Sequence, residues 1–182
     1  MKIAILAAGG KPWDRKEITI RGENIITRIR RQLLERGVSH DDIFLVIGPE
    51  DPEPKIAINF VRNPLTGNDL GCLEGIRQHG FDLFIFGDVY FSDAGMDAVL
   101  NSTDEFIGRT KPGDVKNYGE MFAIRGTPRL MLPLARMWSE YISGARRRLW
   151  SWDLYSEIQG KDFYKHRNTG NFTEIHDETE DF

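Results

Sequence analysis

Cysteine is nearly absent from this chain. Cys72 stands alone among 182 residues, which excludes an internal disulfide and a cysteine-ligated metal cluster. Histidine is scarce as well, and no second histidine lies at metal-ligand spacing from His176. No apolar run is long enough for a membrane span or a signal segment. The amino-terminal run, Ile3-Ala4-Ile5-Leu6-Ala7-Ala8, gives way at once to Gly9-Gly10. Positive charge is not in excess either: 24 basic residues face 28 acidic ones, a net charge of −4, so neither nucleic acid nor an anionic membrane is an expected partner. There is no internal repeat and no low-complexity linker. What remains is ordinary for a cytoplasmic globular protein, with 40% hydrophobic and 29% charged residues and length enough for one domain with a full core.

The apolar pattern alternates strand and helix. Residues 2–7 read as a first strand, and Ile25, Ile26, Ile29, Leu33 and Leu34 recur at helical spacing over residues 24–36 before Gly37 stops the helix. Ile43-Phe44-Leu45-Val46-Ile47 is a second buried strand, closed by Gly48-Pro49, and residues 56–61 a third. A helix over residues 69–79 leads into the aromatic-rich run Phe81-Asp82-Leu83-Phe84-Ile85-Phe86-Gly87-Asp88-Val89. The alternation predicts a three-layer α/β/α architecture, with a mostly parallel mixed sheet covered by helices on both faces. Further on, residues 106–109 and 120–125 read as strands. Residues 128–141 and 152–158 read as helices, and residues 161–166 and 171–175 as closing strands.

Three stretches carry chemistry. Leu6-Ala7-Ala8-Gly9-Gly10 lets a backbone without bulky side chains approach a base or phosphate, and Lys11, Arg15 and Lys16 follow closely enough to neutralise phosphate oxygens. Neither a Gly-Lys-Ser/Thr phosphate loop nor a G-x-G-x-x-G fingerprint is present, and a plain glycine turn with solvated cations reads equally well. Asp88 closes a buried strand at its carboxyl end, where open α/β sheets bind ligands, although strand-end aspartates also serve as caps. Ile175-His176-Asp177-Glu178-Thr179-Glu180-Asp181-Phe182 offers oxygen donors for a hard cation or, alternatively, an acidic tail. Arg146-Arg147-Arg148 beside Trp150 and Trp152 interleaves basic and aromatic residues, but Glu140, Asp153 and Glu157 surround it, which favours a solvated helix end over a nucleic-acid face.

In order and spacing these motifs resemble the nucleotidyltransferases that make nucleoside-diphosphate sugars and related activated head groups, choline-phosphate and molybdenum-cofactor enzymes included. Leu6-Ala7-Ala8-Gly9-Gly10 is similar to the family's opening L-A-A-G-x-G, and Lys16 with Gly22 and Ile25-Ile26 resembles its Pro-Lys segment and following G-x-P-L. Asn63-Pro64, Asn68 and Leu73-Glu74-Gly75-Ile76 resemble N-P-x-x-x-x-N-x-x-S-L, and Phe86-Gly87-Asp88-Val89 the G-D-V metal motif. Ile175 to Phe182 is similar to the closing I-D-T-P-E-D-L. The departures are Lys11-Pro12-Trp13-Asp14-Arg15 where the family has an early arginine, which leaves Arg15 or Lys11 to replace it, no proline before Lys16, Cys72 where serine is common, and an end at Phe182 where the family often continues into a helix.

The resemblance implies the Rossmann-like nucleotide-diphospho-sugar transferase fold, with a nucleotide-binding half over about residues 1–92 and an acceptor-binding half over about 93–182. It implies transfer of a nucleotidyl group from an NTP to a small phosphorylated acceptor, with pyrophosphate released. Asp88 and Asp177 would hold Mg2+, and Lys16, with Lys11 or Arg15, would stabilise the leaving group. Leu6, Ala7, Ala8, Gly9 and Gly10 would frame the nucleotide, Asn68 would select base or acceptor, and residues 120–124 would line the acceptor pocket. A metal-dependent glycosyltransferase typically carries D-x-D, whereas this chain has Asp88-Val89-Tyr90. A non-catalytic nucleotide-binding protein of the same fold is the other alternative.

Overall fold

The structure, a computed structural model, describes residues 1–7, 18–63, 79–109, 119–147, 149–160 and 172–181. Strand β1 (Ile3–Leu6) is short, branched and fully apolar, as a strand buried on both faces must be. It pairs in parallel with β4 (Ile43–Ile47) on one side and β6 (Leu83–Phe86) on the other. Beyond β4 lies β5 (Asn59–Arg62), and beyond β6 lie β9 (Glu120–Arg125), β8 (Phe106–Arg109) and β10 (Phe172–Glu174). The sheet thus runs β10-β8-β9-β6-β1-β4-β5. Every paired contact in it is parallel except those of β9, which is antiparallel to both its neighbours.

Residues alternating along the strands feed two cores. Ile3, Ile5, Leu45, Leu83 and Ile85 face α1 (Ile25–Glu35) and α2 (Asp93–Asn101), where Ile29, Leu33, Met96 and Val99 are fully buried. Each such side chain contributes roughly 1.5–3 kcal/mol. Ala4, Val46, Phe84 and Phe106 face α3 (Pro128–Ile142) and α4 (Ser151–Gln159), against Leu130, Leu134, Met137 and Leu154. Helices therefore cover both faces, and the expected three-layer α/β/α arrangement is observed.

The hairpin of β2 (Thr19–Ile20) and β3 (Glu23–Asn24) turns through Arg21 (φ 51°) and Gly22 (φ 81°), a two-residue connection with both central residues left-handed. Asn24 then caps α1, its side chain accepting from the Thr27 N–H at 3.2 Å. Arg31 joins Glu23 to Glu35, and Arg28 lies over the Tyr90 ring at 4.4 Å, tying hairpin, α1 and the segment after β6 together.

Three details differ from the sequence reading. The third strand begins at Asn59, where pairing with Phe44 starts, and not at Ile56, because the residues following the Pro52 and Pro54 loop bend before reaching the sheet. The run through Val89 is broken. β6 ends at Phe86, and β7 (Val89–Tyr90) leaves for a separate two-stranded pairing with β11 (Glu180–Asp181). Helix α2 follows, announced by the Ser92 cap and the Met96–Val99 spacing but absent from the sequence reading. The expected helix over 69–79, apart from its last residue, and the strand over 161–166 lie outside the described residues.

Candidate active site

From β1 the chain steps to β4 and β5 on one side before returning to β6 on the other, so the order reverses between β1 and β6. In open α/β sheets ligands bind at that reversal, outside the carboxyl ends of the strands. The register sets Leu6 level with Phe86. The Gly87 N–H donates to the Leu6 carbonyl at 2.9 Å, and the Ala7 N–H to the Val46 carbonyl at 2.9 Å, so three strand ends converge. A Cβ on Gly87 would lie 2.6 Å from the Leu6 oxygen and 2.8 Å from Ile26 Cδ1. Only glycine allows this approach. It delivers Asp88 to the crevice, where the residue is 4% exposed and engaged by its surroundings.

The carboxyl-terminal segment enters the same region as a hook. After β10 the Ile175 N–H donates to the Gly108 carbonyl at 2.9 Å, and β11 pairs antiparallel with β7, with Asp181 opposite Val89 and Glu180 opposite Tyr90. In the turn between them, Asp177 Oδ1 accepts from the Thr179 N–H at 2.7 Å and Asp177 Oδ2 accepts from the Ser92 hydroxyl at 2.5 Å. Ser92 Oγ also accepts from the Gly95 N–H at 2.8 Å as the cap of α2. Burial works against the charged form of Asp177, but hydrogen bonds from Ser92 and Thr179, together with attraction from Arg109, hold its carboxyl below the ordinary range.

The structure thus brings Leu6, Ala7, Gly87 and Asp88 together, and ties Asp177 to Ser92, four positions beyond Asp88. Ala8, Gly9, Gly10, Lys11, Arg15, Lys16 and Asn68 lie outside the described residues. Among the described residues no group of three or more His, Cys, Asp or Glu side chains forms a ready metal site. Ser92, Thr179 and Arg109 are the neighbours that sequence reasoning missed. Ser92 had a signal as a cap before an apolar helical spacing, whereas the Thr179 contact depends on strand pairing. Arg109, at the carboxyl end of β8, donates from Nη2 (2.8 Å) and Nε (3.2 Å) to Glu120 Oε2.

A cavity of about 400 Å³ opens between the hairpin, the start of α1, β4 and residues 52–56, with Ile26, Leu45, Ile47 and Ile56 as its apolar wall and Thr19, Glu53 and Lys55 among its polar lining. Among the described residues of the basic–aromatic stretch, the side chains serve separate roles. Arg146 is paired with Glu140 and Glu157, and Trp152 is buried, stacked on Phe172. No described helix is long and apolar enough to cross a membrane.

The sequence matches no known protein-family profile and no curated protein. Among solved structures the chain is similar to 2-C-methyl-D-erythritol 4-phosphate cytidylyltransferase from Thermus thermophilus. The TM-score is 0.52 and the identity 14%, over 98% of this chain and 89% of that one. At that identity the likeness speaks for the fold, which is of the nucleotide-diphospho-sugar transferase kind that the motifs implied.

Proposed function

We propose that this chain is a nucleotidyltransferase that moves an NMP group from an NTP to a small phosphorylated acceptor, releasing pyrophosphate. The observation that carries the reading is the sheet reversal. It sets the end of β1, from which the glycine-rich segment departs, against Gly87-Asp88, in a fold shared with a protein named as a cytidylyltransferase.

The donor set suits a hard divalent cation. Asp88 and Asp177 are carboxylates, oxygen donors of the kind that Mg2+ commonly takes one or two of, with the rest from phosphates and water. In this reading Asp88 and Asp177 would hold Mg2+, which would supply neutralisation of the phosphate charge. The chain's own residues do the positioning. Ala7 and the glycine segment frame the nucleoside, so that an acceptor phosphate oxygen stands in line with the α-phosphorus. The new O–P bond forms as the bond from the α-phosphorus to the bridging oxygen breaks, and pyrophosphate carries away that electron pair. Lys16, with Lys11 or Arg15, meets the growing charge on the leaving group. Ser92 and Thr179 fix the Asp177 carboxylate in one orientation.

The test is pyrophosphate release from each NTP with magnesium across a panel of small phosphate monoesters, with Asp88→Asn as control. One productive pair, lost by at least about a hundredfold in a variant that melts like the parent, supports the reading. Full activity in Asp88→Asn would remove its metal role. A second reading, nucleotide binding without transfer, draws on the engagement of both Asp177 oxygens in local hydrogen bonds, and it predicts NTP binding with no pyrophosphate from any acceptor.

A further inference from the structure

The carboxyl edge of the sheet is acidic on its acceptor side. Asp88, Glu120, Glu174 and Asp177 all belong to that edge, as the strand directions show. An anionic acceptor approaching it is repelled unless a cation meets it there. Among the described residues beyond Asp88, three arginines of α3 and the turn after it are committed elsewhere. Arg129 pairs with Glu105, Arg136 with Glu157, and Arg146 with Glu140. Arg125 sits at the opposite end of the sheet, donating to the Val99 and Leu100 carbonyls. Arg109, by contrast, stands at the carboxyl end of β8, beside Glu120.

Its placement follows from the register. Ile85 of β6 and Ile107 of β8 both lie opposite Ala123 of β9, and a shift of register after Ile107 then sets Arg109 opposite Glu120, so Arg109 stands beyond the end of β6, two strands and about 10 Å to the side. Its guanidinium is held but not consumed. Nε and Nη2 converge on the single oxygen Oε2 of Glu120, and Cζ lies 5.8 Å from the Phe122 ring centre. Nη1 donates to no described residue, and the side chain is 25% exposed. A guanidinium anchored along one edge and open along another suits a phosphate or carboxylate, because its planar fork loses little freedom on binding. The charge of Arg109 also favours the ionised form of Asp177.

We infer that Arg109, held by Glu120, is the residue that receives the anionic group of the acceptor. It sets the preference for small phosphate-bearing substrates, with the Asp88 crevice about 10 Å away receiving the nucleotide. The inference rests on the nucleotidyl-transfer reading, and its test separates the two. Inorganic phosphate is titrated into the intact protein with and without saturating Mg-NTP, following the Arg109 Nε–H resonance and the phosphate dissociation constant. NTP binding is measured in parallel for the parent, Arg109→Lys and Arg109→Gln.

The expected result is a saturable shift of the Arg109 resonance and a phosphate affinity reduced at least about tenfold in Arg109→Gln. The loss should be partial in Arg109→Lys, which keeps the charge but not the fork, with NTP affinity unchanged within about twofold in both. Phosphate binding that is absent from the parent or indifferent to both substitutions overturns the inference, whatever the nucleotide does. So does a loss confined to NTP binding. A protein that binds phosphate at Arg109 but binds no NTP keeps the anion site and defeats nucleotidyl transfer. Because Arg109→Gln leaves Glu120 without its guanidinium and can destabilise the sheet edge, the resonance shift in the parent decides the matter independently of folding.

Discussion

Replacing Gly87 by alanine tests the geometry on which the site depends. The new Cβ would stand 2.6 Å from the Leu6 carbonyl oxygen and 2.8 Å from Ile26 Cδ1. The first contact is roughly 0.7 Å or more inside ordinary van der Waals separation. The Ile26 methyl is the end of a side chain and can swing aside. The Leu6 oxygen is backbone, and it accepts the Gly87 N–H at 2.9 Å, so it can retreat only if the ends of β1 and β6 part. Overpacking of this kind costs about 1–3 kcal/mol, and weakening that hydrogen bond adds about 0.5–1.5 kcal/mol. The sum, about 2–4 kcal/mol, corresponds to a melting point lower by about 5–15 °C for a chain of this size. Urea and thermal unfolding followed by circular dichroism measure it. Ile26→Val in the Gly87→Ala background serves as a companion and should recover less than about 1 kcal/mol, since the backbone clash survives. A Gly87→Ala protein within about 0.5 kcal/mol of the parent would refute the close approach of the two strand ends, and with it the placement of Asp88.

Two further substitutions probe the carboxyl-terminal hook. A Cβ on Gly95 would overlap Thr179 Oγ1 and lie 3.1 Å from Ser92 Oγ. Gly95→Ala should therefore release the hook despite an alanine's gain of about 1 kcal/mol in a helix interior. The expected sign is faster hydrogen exchange and proteolysis of residues 176–181, and unchanged protection there would count against the packing. For Asp177 the direction of the pKa sets the pH dependence. Its folded carboxyl titrates below the ordinary range, so its contribution to stability is present in full above the unfolded pKa of about 4 and fades as pH falls through the lower folded value. The gap in melting temperature between the parent and Asp177→Asn should hold steady from about pH 7 to 5 and narrow below about pH 4. A gap that widens on acidification would contradict the Ser92 and Thr179 hydrogen bonds.

Strong local signals carried most of the architecture. β1 and β4 are unbroken apolar runs ended by glycine or proline, and the capped stripe of α1 has one buried face, so each was legible without knowing its neighbours. The failures share a cause. β5 is only partly buried, and its start was set by where Phe44 offers a partner, which no local pattern encodes. β7 and β11 are two residues each and exist through their mutual pairing across about ninety positions of chain.

The sequence by itself therefore determined the class of fold and the layers, and it supplied the residues proposed for the chemistry: glycines, cations and carboxylates close to strand ends. Tertiary structure decided which of them meet. It set Gly87 against the Leu6 carbonyl, turned the acidic tail back so that Asp177 bonds to Ser92, and placed Arg109 on an acidic edge with its guanidinium held by Glu120. Those outcomes depend on sheet order and strand register, which arise from burial summed over the whole chain and cannot be read from any one segment of it.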